Sequence, residues 1–429
     1  MSGWKGMARG WRGDLPRKIE WIPPSNPRIC ANFLDFYALA AYPTTMEFTQ
    51  RFVVEYEYSV HFTRDALAPA SEVLRETLPA AGAPHRCLFV VDSGLAAATP
   101  ELLQRVEQYA AHNDHRLTLV VPPLVVQGGE ACKNDPALLA SVRAALEAGG
   151  ICRHSFVVAL GGGAVLDLVG YAAATVHRGV RLIRMPSTVL AQNDAGIGVK
   201  NGVNAFGTKN FCGTFAPPFS VINDLDLLRT LPRRDQRAGQ AEAVKVALVR
   251  SAEFFAELEA SSRELAACEE AATEAMVTRC AREHLEHIAG GGDPFELGSA
   301  RPLDFGHWSA HRLEEMTNGE VRHGEAVAVG MAVDTCYAYE RGLLTMEQRD
   351  RVLRLLRDLG LDLHHPELER MDLASALDSF RQHLGGALCV TLPRGIGRLV
   401  EVSEMDLDLL RRCIAWLGQQ DAVSQGDDR

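Results

Sequence analysis

Apolar positions along this chain follow two regimes. Up to about residue 235, short continuous apolar runs alternate with amphipathic stretches. RCLFVVD (86–92), RLTLVVPP (116–123), SFVVAL (155–160) and VRLIRMP (180–186) read as buried strands. Between them lie a helical stretch near 99–112 and DPALLASVRAALEAG, an amphipathic helix that Gly149 and Gly150 terminate. Buried strands separated by helices predict a parallel, doubly wound sheet. An earlier strand is expected from Met46 onward, where Phe52, Val54, Tyr56, Tyr58 and Val60 alternate with polar residues. Beyond residue 235 the strand signals fade. AEAVKVALVRSAEFFAELEA, ELAACEEAATEAMVTRCAREHLEHI and AVAVGMAVDTCYAYERGLL are helical by period and propensity. The pattern predicts an α/β domain over 46–235 and an all-α domain over 236–419, with a site in the cleft between them.

The ends of the chain read differently. Residues 1–45 carry Trp4, Trp11 and Trp21 among scattered basic residues, and Pro23, Pro24 and Pro27 break any period. They are expected to be a poorly packed extension, and residues 420–429 a frayed tail.

Composition narrows the function. A chain of 429 residues suffices for two domains with substantial cores. The net charge of -11 argues against nucleic acid or an anionic membrane as the main partner. Ten cysteines without a CxxC pair read as reduced thiols of a cytoplasmic protein rather than a disulfide or zinc-finger scaffold. No apolar run reaches the length of a membrane span.

Candidate chemistry begins at Gly161, Gly162 and Gly163, which follow an apolar strand and open a helix. Such a turn lets backbone approach a pyrophosphate, although a plain tight turn uses glycines equally well. Asp92 ends an earlier strand where a ribose hydroxyl can bind, and GGEACK places Glu130 and Lys133 one turn apart. The loop DAGIGVKNGVNAFGTKN carries Asp194, Lys200, Lys209 and Asn210 among glycines, a composition suited to closing on phosphates, with Arg178 as a further cation. Glu242, His307 and His323 are candidate metal ligands, since zinc accepts carboxylate and imidazole and keeps an open position when three protein groups bind it. Lys245 lies one helical turn from Glu242. His307 and His311 form a competing pair four residues apart, and spacing alone does not choose between the sets.

From about residue 86 to 400 the chain resembles the sugar phosphate cyclases, whose best-known members are the 3-dehydroquinate synthases. GGEACK, GGGAVLD, MPSTVLAQNDAGIGVKNGVN, GTKN, LLRTLP, AEAVK, GHWSAH and RHGEAVAVGM carry the resemblance, in family order. It implies a Rossmann-like domain followed by a helical domain, usually as a homodimer. It implies NAD contacts at Asp92, Glu130, Lys133, Gly161 to Gly163, Asp167, Ser187, Thr188, Lys200, Lys209 and Thr230. The implied ligands of zinc (or cobalt) are Glu242, His307 and His323. The implied catalytic and substrate positions are Arg178, Asp194, Lys200, Asn210, Lys245, Arg301 and His311, with Asp304 beside them. The implied reaction is a lyase reaction on a sugar phosphate. NAD oxidises a secondary hydroxyl that the metal polarises, phosphate is eliminated, the hydride returns, and an aldol step closes a carbocycle.

Two departures bear on the substrate. No lysine follows Lys245, where 3-dehydroquinate synthases hold two near the substrate anions. Their asparagine-x-glycine-histidine is replaced by RPLDFGH, which puts Asp304 where a substrate carboxylate would be repelled. The Arg301-Pro302 pair resembles the 2-epi-5-epi-valiolone synthases, which cyclise sedoheptulose 7-phosphate, yet His311 is retained where those enzymes usually lose it. A cyclase of a carboxylate-free sugar phosphate in secondary metabolism is the leading reading. A true 3-dehydroquinate synthase, and a zinc-dependent polyol dehydrogenase or inactive scaffold, are the alternatives.

Overall fold

The computed structural model describes residues 47–291, 293–298 and 301–427, with side chains described to residue 420. The extension expected over 1–45 lies outside them. Chain contacts divide the protein into residues 1–55 and Tyr56–Arg429. In the first unit, residues 47–55 are exposed and carry no regular secondary structure.

The second unit is built on a seven-stranded parallel sheet. Its strands are β1 (Ser59–Thr63), β2 (His85–Asp92), β3 (Leu117–Leu119), β4 (Leu124–Val126), β5 (Phe156–Gly161), β6 (Arg181–Pro186) and β9 (Ser220–Asp224). The order is β1-β9-β6-β5-β2-β3, with β4 also beside β2. Period-2 alternation divides each central strand between two cores. Phe89, Val91, Phe156, Val158 and Leu160 pack on one face, and Leu88, Val90, Val157 and Ala159 on the other. Apolar side chains on both faces are why these strands read as continuous apolar runs. The order reverses between β2 and β5, so Asp92 and Gly161 end adjacent strands at the crevice where doubly wound sheets bind ligands.

A two-stranded antiparallel hairpin stands apart from the sheet, formed by β7 (Lys200–Ala205) and β8 (Thr208–Phe215). Its root is fixed by Arg184, wholly buried, which donates to Gly198 O at 2.7 Å, Lys200 O at 2.9 Å and Asn201 Oδ1 at 2.7 Å.

The longer helices are α1 (Leu102–His112), α2 (Pro136–Ala148), α3 (Gly163–Thr175), α4 (Arg233–Arg250), α5 (Ala252–Ala260), α6 (Glu270–Gly290), α7 (His307–Met316), α8 (His323–Glu340), α9 (Met346–Asp358), α10 (Leu373–His383) and α11 (Leu407–Asp427). Every residue of α8 from Ala326 to Ala338 is buried, so this helix is the axis of the helical layer.

The structure departs from the sequence reading in four places. Residues 47–58 form no strand, because β1 pairs only over Ser59–Thr63 with the five residues of β9. Only Leu117–Leu119 of RLTLVVPP is strand, and a second short strand, Leu124–Val126, follows it separately against β2. The helical part also contains a hairpin, β10 (Val390–Pro393) with β11 (Leu399–Val402). Finally, α11 runs on to Asp427 where a tail was expected, anchored by the buried face of Leu409, Leu410, Cys413, Ile414 and Leu417.

Candidate active site

The nucleotide edge of the site is made by close backbone packing. Gly162 caps α3 with no side-chain hydrogen bond, leaving the first N–H groups of a 13-residue helix to an anion. A Cβ on Gly161 would lie 2.9 Å from Asp92 Cβ, and one on Gly128 would lie 2.4 Å from Asp92 Oδ1. Asp92 itself caps the helix at Ser93–Ala98, accepting Gly94 N at 2.7 Å. Ser187 N donates to Gly161 O at 2.9 Å, and Thr188 Oγ1 accepts Ala191 N at 3.1 Å, so both sit beside the glycine turn. Lys133 is buried and donates to Asp167 Oδ2 at 2.8 Å and to Asn210 Oδ1. Glu130 is 3.8 Å from Lys133 and accepts Asn204 Nδ2 at 3.2 Å. Thr230 is exposed beyond the carboxyl end of β9. These residues fit a dinucleotide: bare glycine backbone and an open helix start face one crevice, with polar side chains around it.

The metal candidates converge from three helices. Ligand atoms of Glu242, His307 and His323 all lie within 4.8 Å of one another. Close glycine contacts bring the helices together. A Cβ on Gly324 would lie 1.8 Å from Ala238 O, so the start of α8 rests on α4. Gly306, at φ +78°, turns the chain into α7, and Gly330 would place a Cβ 2.1 Å from Gly306 O. Glu242 is wholly buried and its Oε1 has no hydrogen-bond partner. A buried oxygen left without a partner costs free energy unless a cation or donor meets it. His307 Nδ1 lies 3.1 Å from Phe305 O and His323 Nδ1 lies 3.0 Å from Glu314 Oε2, which leaves each Nε2 as the free donor atom. The set fits zinc or cobalt: two imidazoles and one carboxylate are the three-ligand arrangement that such ions take when a fourth position is kept for substrate. His311 meets His307 edge-on and stacks with His323, with ring centroids 5.4 Å and 6.1 Å away, but lies outside the convergent set.

Charges around this cluster are tightly arranged. Lys245 is buried and ion-paired to Glu242. Burial disfavours its ammonium, yet Glu242 and Asp194 outweigh burial and raise the pKa. Asp194 sits in a single π-helical turn, Ala191–Ala195, a form common at functional sites. Burial opposes its ionisation, but Lys245, His284 and His307 hold its carboxyl below the usual range. His311 is held well below the usual imidazole range by burial, then by His307 and Lys209, so it is neutral.

Five other expected residues lie around these groups. Lys200 Nζ lies 2.5 Å from Glu296 Oε1. Arg301 Nε lies 2.9 Å from Glu296 Oε2 and its NH2 donates to Glu296 O at 2.7 Å, so it braces its own loop. Asp304 ends a short 3-10 turn just before His307, and its charge reaches Lys245. Lys209, expected at the nucleotide, is 2.9 Å from Glu314 Oε1 on the metal side, whereas Asn210, expected at the substrate, meets Lys133. Consecutive strand residues point to opposite faces, which separates them.

Arg178 is a correction. It precedes β6 and lines a cavity of about 620 Å³ with Arg153, His154, Arg181 and Phe219, all at the amino ends of the strands. The glycine turn is at the carboxyl ends, and a six-residue strand spans roughly 20 Å. Within one chain Arg178 therefore does not join the site.

Several site residues escaped the sequence reading. Glu314 is three residues after His311 on α7, a spacing that marks a shared face. His284 Nδ1 lies 3.0 Å from Asp194 Oδ1. Asp334, wholly buried on α8, accepts Gly306 N at 3.1 Å and Trp308 Nε1 at 2.9 Å, clamping both neighbours of His307. No local pattern signals the last two, since their partners are distant in sequence.

The chain matches the family descriptions 3-dehydroquinate synthase N-terminal over residues 123–238 and 3-dehydroquinate synthase C-terminal over 239–382. It is 41% identical over 272 residues to a 2-epi-valiolone synthase of Actinosynnema mirum, covering 62% of this chain and 71% of the other. A 3-dehydroquinate synthase of Symbiobacterium thermophilum is 34% identical over 363 residues, covering 83% and 97%. The 2-epi-5-epi-valiolone synthase ValA of Streptomyces hygroscopicus subsp. jinggangensis, solved with NAD+ and Zn2+ bound, superposes with a TM-score of 0.78 at 31% identity, over 87% of this chain and 100% of that one.

Proposed function

Because the chain belongs to the 3-dehydroquinate synthase family of sugar phosphate cyclases, we propose that it cyclises a seven-carbon ketose phosphate lacking a carboxylate, sedoheptulose 7-phosphate, with loss of phosphate. The reading takes NAD and one zinc or cobalt ion as cofactors, as in the ValA structure. It takes Glu242, His307 and His323 as metal ligands and the crevice around Asp92 and Gly161 to Gly163 as the NAD site. One observation carries the substrate choice: Asp304 ends the turn three residues before the metal-ligand candidate His307, and its charge reaches Lys245, in a chain with no later lysine. The 2-epi-valiolone synthase likeness supports the same choice.

When bound, the metal acidifies a substrate hydroxyl and NAD takes up and returns a hydride. The protein's own groups do the rest. Lys245, held charged, stabilises negative charge that develops on the substrate oxygen. Neutral His311 accepts a proton on an imidazole nitrogen. Asp304 accepts hydrogen bonds from sugar hydroxyls. Lys200 meets the phosphate once the substrate displaces Glu296. The reading further takes the protein to be a cytoplasmic homodimer, supported by the family resemblance and by free thiols at all the described cysteines. Among the described residues, no helix is long and apolar enough to cross a membrane.

Carbon NMR of the product from sedoheptulose 7-phosphate, with NAD and zinc supplied, tests the proposal. A phosphate-free carbocycle is expected. An acyclic oxidised sugar phosphate would favour a polyol dehydrogenase instead.

A further inference from the structure

One buried carboxylate near the metal cluster has no part in the chemistry above. Glu314 lies on α7, seven residues after His307, so the two share a helix face. Its side chain is 13% exposed and both oxygens are used. Oε2 is 3.0 Å from His323 Nδ1, and Oε1 receives Lys209 Nζ at 2.9 Å. The two partners come from different parts of the fold: His323 begins α8, and Lys209 lies on β8 of the hairpin.

The hairpin needs such an anchor. A two-stranded ribbon is marginal on its own, and its tip carries Phe206 at 90% exposure. Two consecutive residues hold it from opposite sides. Lys209 reaches the metal side through Glu314, while Asn210, at φ +54°, meets Lys133 and through it Asp167 on the nucleotide side. The hairpin is thus tethered to both halves of the site.

We propose that Glu314 is a positioning residue that couples the β7–β8 hairpin to the metal centre. It fixes His323 with Nδ1–H turned to the carboxylate and Nε2 turned to Glu242 and His307, and the same carboxylate tethers Lys209. Metal binding orders His323, which sets Glu314, which in turn holds the hairpin against the helices. Losing the carboxylate weakens the metal site and frees the hairpin; losing only Lys209 frees the hairpin. The inference rests on Glu242, His307 and His323 being the metal ligands.

The test uses full-length protein and zinc, with affinity measured by chelator competition and hairpin order by hydrogen exchange over residues 200–215. Glu314→Gln is expected to lower zinc affinity by roughly 10- to 100-fold and to abolish zinc-dependent protection of the hairpin even at saturating zinc. Lys209→Met is expected to keep zinc affinity within roughly fivefold, the reach of a partly exposed ion pair, and still lose that protection. Unchanged zinc affinity in Glu314→Gln, or intact protection in Lys209→Met, overturns the proposal. His323→Ala separates the two readings. If it loses zinc while Glu314→Gln does not, only the coupling fails; if it too keeps full affinity, the ligand assignment fails first.

Discussion

Glu242 Oε1 faces His323 Nε2 at 3.8 Å, across a helix contact so close that Gly324 admits no side chain. The separation exceeds a hydrogen bond, and the carboxylate oxygen has no hydrogen-bond partner. A cation between them resolves the conflict. The ligand set can therefore be separated from the neighbouring His311 by mutation.

His307→Ala should empty the metal site, with a loss of affinity larger than the roughly 10- to 100-fold typical of an outer-sphere change. His311→Ala should keep its metal and lose turnover by about 100-fold or more, as befits loss of a proton-transfer group. Metal analysis of the two purified variants decides this. Full metal content in His307→Ala with loss in His311→Ala would reverse the assignment.

Lys245→Met should behave differently with and without metal. In the metal-free protein it leaves the buried Glu242 carboxylate without its cation, a change that costs about 3–5 kcal/mol in such pairs. Saturating zinc supplies a replacement charge and should recover most of that stability. Urea titrations of both forms check it, and an equal loss with and without zinc would speak against zinc binding at Glu242.

Asp334 predicts a pH effect. Burial pushes its carboxyl up to about 7, against the opposing hydrogen bonds from Trp308 and Gly306. A carboxyl raised in the folded state binds its proton more tightly folded than unfolded. Its contribution to stability is therefore fully present below the unfolded value near 4 and is lost as pH rises through about 7. The full difference is on the order of 4 kcal/mol. Asp334→Asn should be less pH-dependent than the unmodified protein between pH 4 and 7.5, and identical slopes in denaturant titrations would refute the shift.

How far the sequence foretold this site depends on the range of each contact. Strands β2, β5 and β6 were legible because both their faces are buried, and a continuous apolar run has no other economical reading. The positions of Asp92 and Gly161 followed from those strands. The choice of His307 over His311 came from family resemblance, because spacing alone permits both. Phe52 and Val54 alternate like a strand and yet are exposed, since alternation records no partner strand. Glu314 shares a helix face with His311 and was open to that reading, but His284 and Asp334 act through residues distant in sequence, so no periodicity reveals them. Arg178 was grouped with the loop lysines as a further cation, while within one chain the topology puts it at the amino ends of the strands, away from the glycine turn.

The substrate assignment turns on Asp304. A charge-assisted hydrogen bond to a carboxylate is worth about 1.5–3 kcal/mol, and here an aspartate and the absence of later lysines replace such donors. Asp304→Asn should shift preference towards the carboxylated 3-deoxy-heptulosonate phosphate by roughly tenfold to a hundredfold. Ratios of kcat/KM for the two sugars before and after the change read this out, and an unmoved ratio would take Asp304 out of substrate selection.

The most direct measurement is phosphate release by the unmodified protein, followed alongside NADH absorbance, for sedoheptulose 7-phosphate and for the 3-deoxy-heptulosonate phosphate in parallel. The account predicts faster release from sedoheptulose 7-phosphate, many turnovers per NAD and no accumulating NADH. Efficient conversion of the heptulosonate with no turnover of sedoheptulose 7-phosphate would contradict it and restore the 3-dehydroquinate synthase reading.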